Sequence, residues 1–119
     1  MVTLVAAALL TSPQTGFAFG RTGGDIVPFR ISISAEGVVH GTGAAPRHDR
    51  RLTKLELATI NRVAYETDFL DLRARTNCAP ALPDEATEFI RVASHTVRVH
   101  GRCVPRFNRL WAALMHSIR

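Results

Sequence analysis

The last third of the chain constrains the fold most. Ile90, Val92, Val97 and Val99 alternate with polar residues on either side of His95-Thr96, and Phe107, Leu110, Trp111, Leu114 and Ile118 then recur at three- and four-residue intervals. The first pattern has the period of a strand with one buried face, the second that of a helix with one apolar stripe. Neither face is stable in water alone, so the hairpin and the helix must cover each other in two layers around one core. With His95-Thr96 as the turn, Val92 is predicted opposite Val99 and Ile90 opposite Gly101. Ile90, Val92, Val97, Val99 and Cys103 then share one side, and Arg91, Arg98, His100 and Arg102 share the other. Pro105 suits the first turn of the closing helix, because its missing N–H has no helical partner to lose.

An earlier stretch repeats the order. Val27, Phe29, Ile31 and Ile33 alternate with polar positions over 26–34, a half-buried strand, and Ala35-Glu36-Gly37 turns the chain into a short second strand at Val38-Val39-His40. Residues 41–51 read as a solvated loop. Thr53-Lys54-Leu55-Glu56 is a capping box, with Leu52 and Leu57 placed for a hydrophobic staple. Leu57, Ile60, Val63 and Ala64 mark one face of a helix to about Asp68, and Phe69 and Leu72 are predicted to tuck beneath it. Residues 73–85, with two prolines, form a second loop. The architecture these elements predict is α+β, in the order ββαββα, with a four-stranded antiparallel sheet and both helices packed on one face.

A length of 119 residues and an apolar content of 46% describe one globular domain and exclude a multidomain enzyme. The apolar run Val2–Leu10 has the length of a signal-peptide core, and Gly16-Phe17-Ala18 offers a small-x-small cleavage triplet. Residues 1–18 are therefore read as a signal peptide and 19–119 as the domain. No basic residue precedes the run, and the alternative is a buried N-terminal helix. The run is too short to span a hydrocarbon core, which takes about 20 apolar residues. Cys78 and Cys103 are the only cysteines; in a secreted or cell-envelope domain such a pair reads as one disulfide. A zinc site using Cys103 and His100 lacks a CxxC and a set of four spaced ligands, so no metal and no cofactor is predicted.

Charge is uneven. Residues 52–88 carry four basic and seven acidic side chains, whereas 89–119 carry six arginines and no acid, and 14 of the 15 basic residues are Arg. Arg91, Arg98, His100 and Arg102 on the predicted polar strand face, joined by Arg106 and Arg109 in the first turns of the last helix, make a candidate anion-binding patch. Arg106 and Arg109 oppose their own helix macrodipole, at about 0.3–1 kcal/mol each, so something else must favour them. An anion at that helix N-terminus is one explanation; pairing with Asp84, Glu85, Glu88, Glu56, Glu66 or Asp68 is the other. Nucleic acid is disfavoured, because sheet readers stack bases on several exposed aromatics and only Phe89 is in place.

His40, His48, His95, His100 and His116 are scattered, and no nucleophile elbow or HExxH motif accompanies them, so the chain is not read as an enzyme. Asp84, Glu85 and Glu88 read as solvated carboxylates of a loop.

Arg21-Thr22-Gly23-Gly24 ahead of the first strand, Leu52-Thr53-x-x-Glu56 at a helix start, Phe69-x-x-Leu72 after that helix, and a closing hairpin and amphipathic helix together resemble the emfourin-like family of small bacterial α+β proteins, which includes a metalloprotease inhibitor. The chain departs from that pattern in having Asp25-Ile26-Val27 where family members continue with Phe-Ala-Gly, and in its cysteine pair. The resemblance implies the fold, and a secreted non-catalytic binding module with protease inhibition as its most concrete form. Gly23, Gly24, Asp25 and Glu36 are the candidate contacts to an extracellular protease. The alternative is a surface protein that binds anions or acidic polymers through the C-terminal arginines.

Overall fold

The computed structural model describes residues 16–43, 50–80 and 82–119. In chain order these form β1 (Phe17–Thr22), β2 (Phe29–Ile33), β3 (Val38–Gly43), β4 (Arg50–Arg51), α1 (Lys54–Glu66), a 3-10 turn (Phe69–Asp71), β5 (Arg75–Asn77), β6 (Thr87–Val92), β7 (His95–His100) and α2 (Pro105–Ser117). The run Val2–Leu10 and His48 lie outside the described residues.

The class is α+β, and the described residues form two α-helices and a sheet of seven strands where the sequence predicts four, in the order β4-β3-β2-β1-β6-β7-β5. The largest difference is β1, the central strand. It pairs antiparallel with β2 on one side and β6 on the other, so it joins the two halves of the molecule. Phe17 and Phe19 point into the core, and Ala18 and Gly20 alternate with them on the opposite face; all four are buried. Phe17 and Ala18 of the expected cleavage triplet thus lie in β1. β4 and β5 have two and three residues, too few to show a period, and β5 joins the edge as a parallel partner of β7.

The remaining elements follow local rules. Thr53 caps α1 with both bonds of the box: the Glu56 N–H donates to Thr53 Oγ1 at 3.1 Å, and the Thr53 N–H donates to the Glu56 carboxylate at 2.8 Å. Leu52 is buried, and Leu57 packs at the margin of the core, as the staple requires. All five stripe residues of α2 are buried, and Trp111 meets the rings of Phe19 at 5.6 Å and Phe29 at 6.4 Å. Ile60 of α1 and the tucked Phe69 and Leu72 complete the same layer.

Two predictions of detail are corrected. Val27 is not an inward strand residue; the strand begins at Phe29, after Pro28, and Val27 is 68% exposed. The hairpin turns at Ala93-Ser94, not His95-Thr96, so Ile90 pairs with Val97 and Glu88 with Val99. Ala93 adopts φ 55°, the left-handed region that two-residue hairpin loops use and that sequence usually announces with Gly or Asn. The register slips by an even number of residues, so every side chain within β6 and β7 keeps its predicted face, while Arg102 and Cys103 fall beyond the end of β7 at His100.

Glu88 is also not a solvated loop residue. It is the inward-facing partner of Arg21, 6% exposed, and its Oε2 accepts from Arg21 Nε at 2.9 Å. The Arg21 guanidinium lies 5.2 Å from the Trp111 ring, so one cation closes the end of the core against both groups.

Two stability predictions follow from these contacts. A chain beginning at Phe19 loses the burial of Phe17, about 2 kcal/mol, and two positions of central pairing. Its thermal midpoint should lie at least about 8 °C below that of a chain beginning at Gly16, at roughly 4–8 °C per kcal/mol; equal midpoints would show that Phe17 and Ala18 are dispensable. The Thr53 N–H and the Arg50 guanidinium hold the Glu56 carboxyl below its ordinary value of 4.5. Stability from a depressed carboxylate is present in full above the unfolded value and is lost as pH falls through the folded one. The stability difference between wild type and Glu56→Gln should therefore be constant above about pH 5 and shrink below 4.5; a difference independent of pH would contradict the cap.

Candidate anion-binding face

Both described helices cover the same side of the sheet, and no described element covers the other. The pairing fixes what stands on it. One row across the strands reads Thr42, Arg30, Gly20, Phe89, Arg98 and Arg75, and the next reads His40, Ser32, Ala18, Arg91 and Thr96. Arg30, Arg75, Arg91 and Arg98 thus share the uncovered face with one aromatic ring. Glu88 is the only acidic residue in any described strand, and it points inward. Arg75, Arg91 and Arg98 have no ion pair among the described residues.

Gly20 shapes the middle of this face. It lies opposite Arg30 on one side and Phe89 on the other. A Cβ there would come within 2.1 Å of the Phe29 carbonyl oxygen and 2.9 Å of the Phe89 ring. With no side chain between them, Arg30 reaches across β1 and sets its guanidinium 5.5 Å from the Phe89 ring centre. Such a contact is worth about 0.5–1 kcal/mol at an exposed site, enough to bias where a long side chain rests. Thr22, Arg30, Phe89, Arg91, Thr96 and Arg98 line a hollow of about 290 Å³ here. Arg75 stands directly opposite Arg98 in the parallel pair, and like charges in that position destabilise a sheet unless an anion intervenes.

The structure divides the six residues of the expected patch. Arg91 and Arg98 are on the open face. His100 is on the same side, but both its nitrogens are engaged: Nε2 donates to the Leu82 carbonyl at 2.9 Å, which leaves Nδ1 to accept from the Thr87 hydroxyl at 3.3 Å. It ties down the loop before β6 and has no free nitrogen for acid–base work. Arg102 lies past the end of β7, beside a cavity it shares with Asp84 and Glu85. Arg106 and Arg109 belong to the helix layer, where Arg106 donates to the Thr67 carbonyl at 3.2 Å and Arg109 pairs with Glu66. This accounts for two cations at the start of α2. They sit at the C-terminal end of α1, whose last turn has no basic residue of its own, and so complement that helix's macrodipole. Arg30 and Arg75, absent from the expected patch, take their place on the face. Arg30 was visible as a polar position of β2, but its union with Phe89 depends on Gly20 lying between them.

The candidate partner contacts are also separated. Gly23, Gly24 and Asp25 occupy the β1–β2 loop. Gly24 has φ 63°, a Cβ there would lie 2.5 Å from the Asp84 carbonyl oxygen, and the Asp25 N–H donates to that oxygen at 3.1 Å. This loop is clamped to the one before β6. Glu36 is exposed in the β2–β3 turn at the other end of β2, about 16 Å away at ~3.3 Å per residue, so the four do not form one surface.

Cys78 and Cys103 form the expected disulfide, joining the segment after β5 to the one after β7. No group of three or more His, Cys, Asp or Glu side chains among the described residues is placed to hold a metal ion. No helix among them is long and apolar enough to cross a membrane. Comparison with family models, curated proteins and solved structures finds no match to this chain.

Proposed function

We propose that the chain is a secreted, non-catalytic binding module whose uncovered sheet face holds an anionic partner, an acidic polymer of the cell envelope or its surroundings. One observation carries this reading: five strand arginines, Arg30, Arg51, Arg75, Arg91 and Arg98, stand on a face whose strands present no carboxylate among the described residues, and none of the five has an ion pair among them. Proteins ordinarily intersperse charges of both signs on an exposed surface, so a single-sign face with Arg75 set against Arg98 favours a partner that brings the missing charge. The disulfide supports an oxidising compartment. A single aromatic on the face argues against base recognition, which uses several stacking platforms.

Binding to a polyanion such as polyphosphate or polyglutamate should weaken steeply with salt, because each contact releases counter-ions. Arg91→Ala/Arg98→Ala should weaken it at least tenfold. Arg106→Ala/Arg109→Ala should leave affinity within about twofold and lower the thermal midpoint instead, because those side chains tie α2 to α1. The reverse assignment of the two double variants would refute the reading.

A second reading, inhibition of an extracellular protease, draws support from a different end of the molecule. The loop 23–28 is joined to residues 82–86 by the Asp25–Asp84 bond, Glu85 shares a hollow with the Cys78–Cys103 disulfide, and Val27 (68%) and Leu82 (57%) are exposed there. Apolar side chains on rigid loops suit docking to an enzyme cleft. Titration into secreted metalloproteases should give inhibition that Val27→Asp abolishes; no inhibition at micromolar concentration would remove this reading.

A further inference from the structure

We infer that the hollow at the centre of the uncovered face is a dedicated site for a tetrahedral oxyanion, a phosphate or sulfate ester group. The inference rests on the anion-binding reading of that face and makes it specific. Its lining includes three arginines from three different strands, Arg30 of β2, Arg91 of β6 and Arg98 of β7, and two threonines, Thr22 and Thr96. No carboxylate is among the lining residues, so nothing inside the hollow competes for these donors.

The donor geometry discriminates between anions. A guanidinium presents a planar fork, and one fork satisfies both oxygens of a carboxylate. Three arginines from three strands, with two threonines beside them, match a group that directs oxygens in several directions and carries one charge, as a sulfate ester does, or nearly two, as a phosphate monoester does. The hollow, at about 290 Å³, is larger than such a group alone and leaves room for the moiety it is esterified to, with the Phe89 ring as an apolar wall.

Phe89 is a positioning residue here. Its ring holds the Arg30 guanidinium at 5.5 Å across the bare backbone of Gly20. A long side chain fixed before the ligand arrives has less freedom to lose on binding, and that raises affinity. A small oxyanion therefore gains from Phe89 without touching it, whereas a polymer that samples the whole face gains little.

The test titrates the full chain with inorganic phosphate, inorganic sulfate and acetate at constant ionic strength and pH 7.5, following the arginine Nε–H NMR signals. Phosphate and sulfate should saturate and shift Arg30, Arg91 and Arg98, at least tenfold more tightly than acetate, and the tighter of the two identifies the ester class. Arg30→Gln should weaken phosphate at least tenfold, Phe89→Leu three- to tenfold, and Arg62→Gln on α1 not at all. Polyphosphate binding should fall less than twofold in Phe89→Leu. Should Phe89→Leu prove unstable, Arg30→Gln alone decides the matter. Acetate binding as tightly as phosphate, or phosphate binding indifferent to Arg30→Gln, overturns the oxyanion site while polyphosphate binding by the wild type keeps the broader reading. Loss of polyphosphate binding as well removes both.

Discussion

The structure depends on a one-sided covering of its sheet. α1 and α2 pack on the face that carries Phe17, Phe19, Phe29, Ile31, Ile33, Ile90, Val97 and Val99, and among the described residues no helix lies on the reverse. β1 makes this arrangement possible. Its large residues all point to the helices and its small ones, Ala18 and Gly20, to the reverse, so one central strand serves a packed core on one side and a low, open floor on the other. Every side chain that alternates with a core residue on the neighbouring strands is then delivered to solvent by the pleat. Five arginines of the described strands stand on that side: Arg30, Arg51, Arg75, Arg91 and Arg98.

The same division organises the charge. Arginine is used for two purposes that the net charge of +5 conceals. In and around the helix layer, Arg21, Arg50, Arg106 and Arg109 each have an acid or a carbonyl as partner: Glu88, Glu56 with the Ser117 carbonyl, Thr67 and Glu66. Those contacts fasten α2 and the C-terminal residues to the rest of the fold. On the open face Arg75, Arg91 and Arg98 lack such partners among the described residues, and Arg30 rests on an aromatic ring. An abundance of arginine is thus partly structural, and the remainder, which has no acid partner among the described residues, includes the set gathered around Gly20 and Phe89.

How much of this could be read from the sequence depended on the range of the interaction. The capping box at Thr53, the stripe on α2 and the inward faces of β2, β6 and β7 were legible, because each rests on residues within a few positions of one another. Strand faces survived even an incorrect turn, since an even shift preserves the pleat. β1 was not legible, because Phe-Ala-Phe-Gly after an apolar run has the look of a processed leader, and only its two neighbours show that it is a strand. Arg106 and Arg109 are linked to Arg91 and Arg98 in the sequence by nothing but charge. Their partners lie on α1, some 40 residues away, and no local signal connects them. Arg30 was missed from the patch for the same reason: its importance comes from a glycine on a strand that the sequence did not reveal.

The central claim is that the uncovered sheet face, and not the arginines of the helix layer, holds the anionic partner. Mapping of backbone amide shifts in a titration with polyphosphate tests it most directly. The account predicts perturbations confined to the outer-face positions of β1, β2, β6 and β7, largest around Gly20, Arg30, Phe89 and Arg98. Perturbations centred on Arg106, Arg109 and the end of α1, with the open face silent, would contradict it.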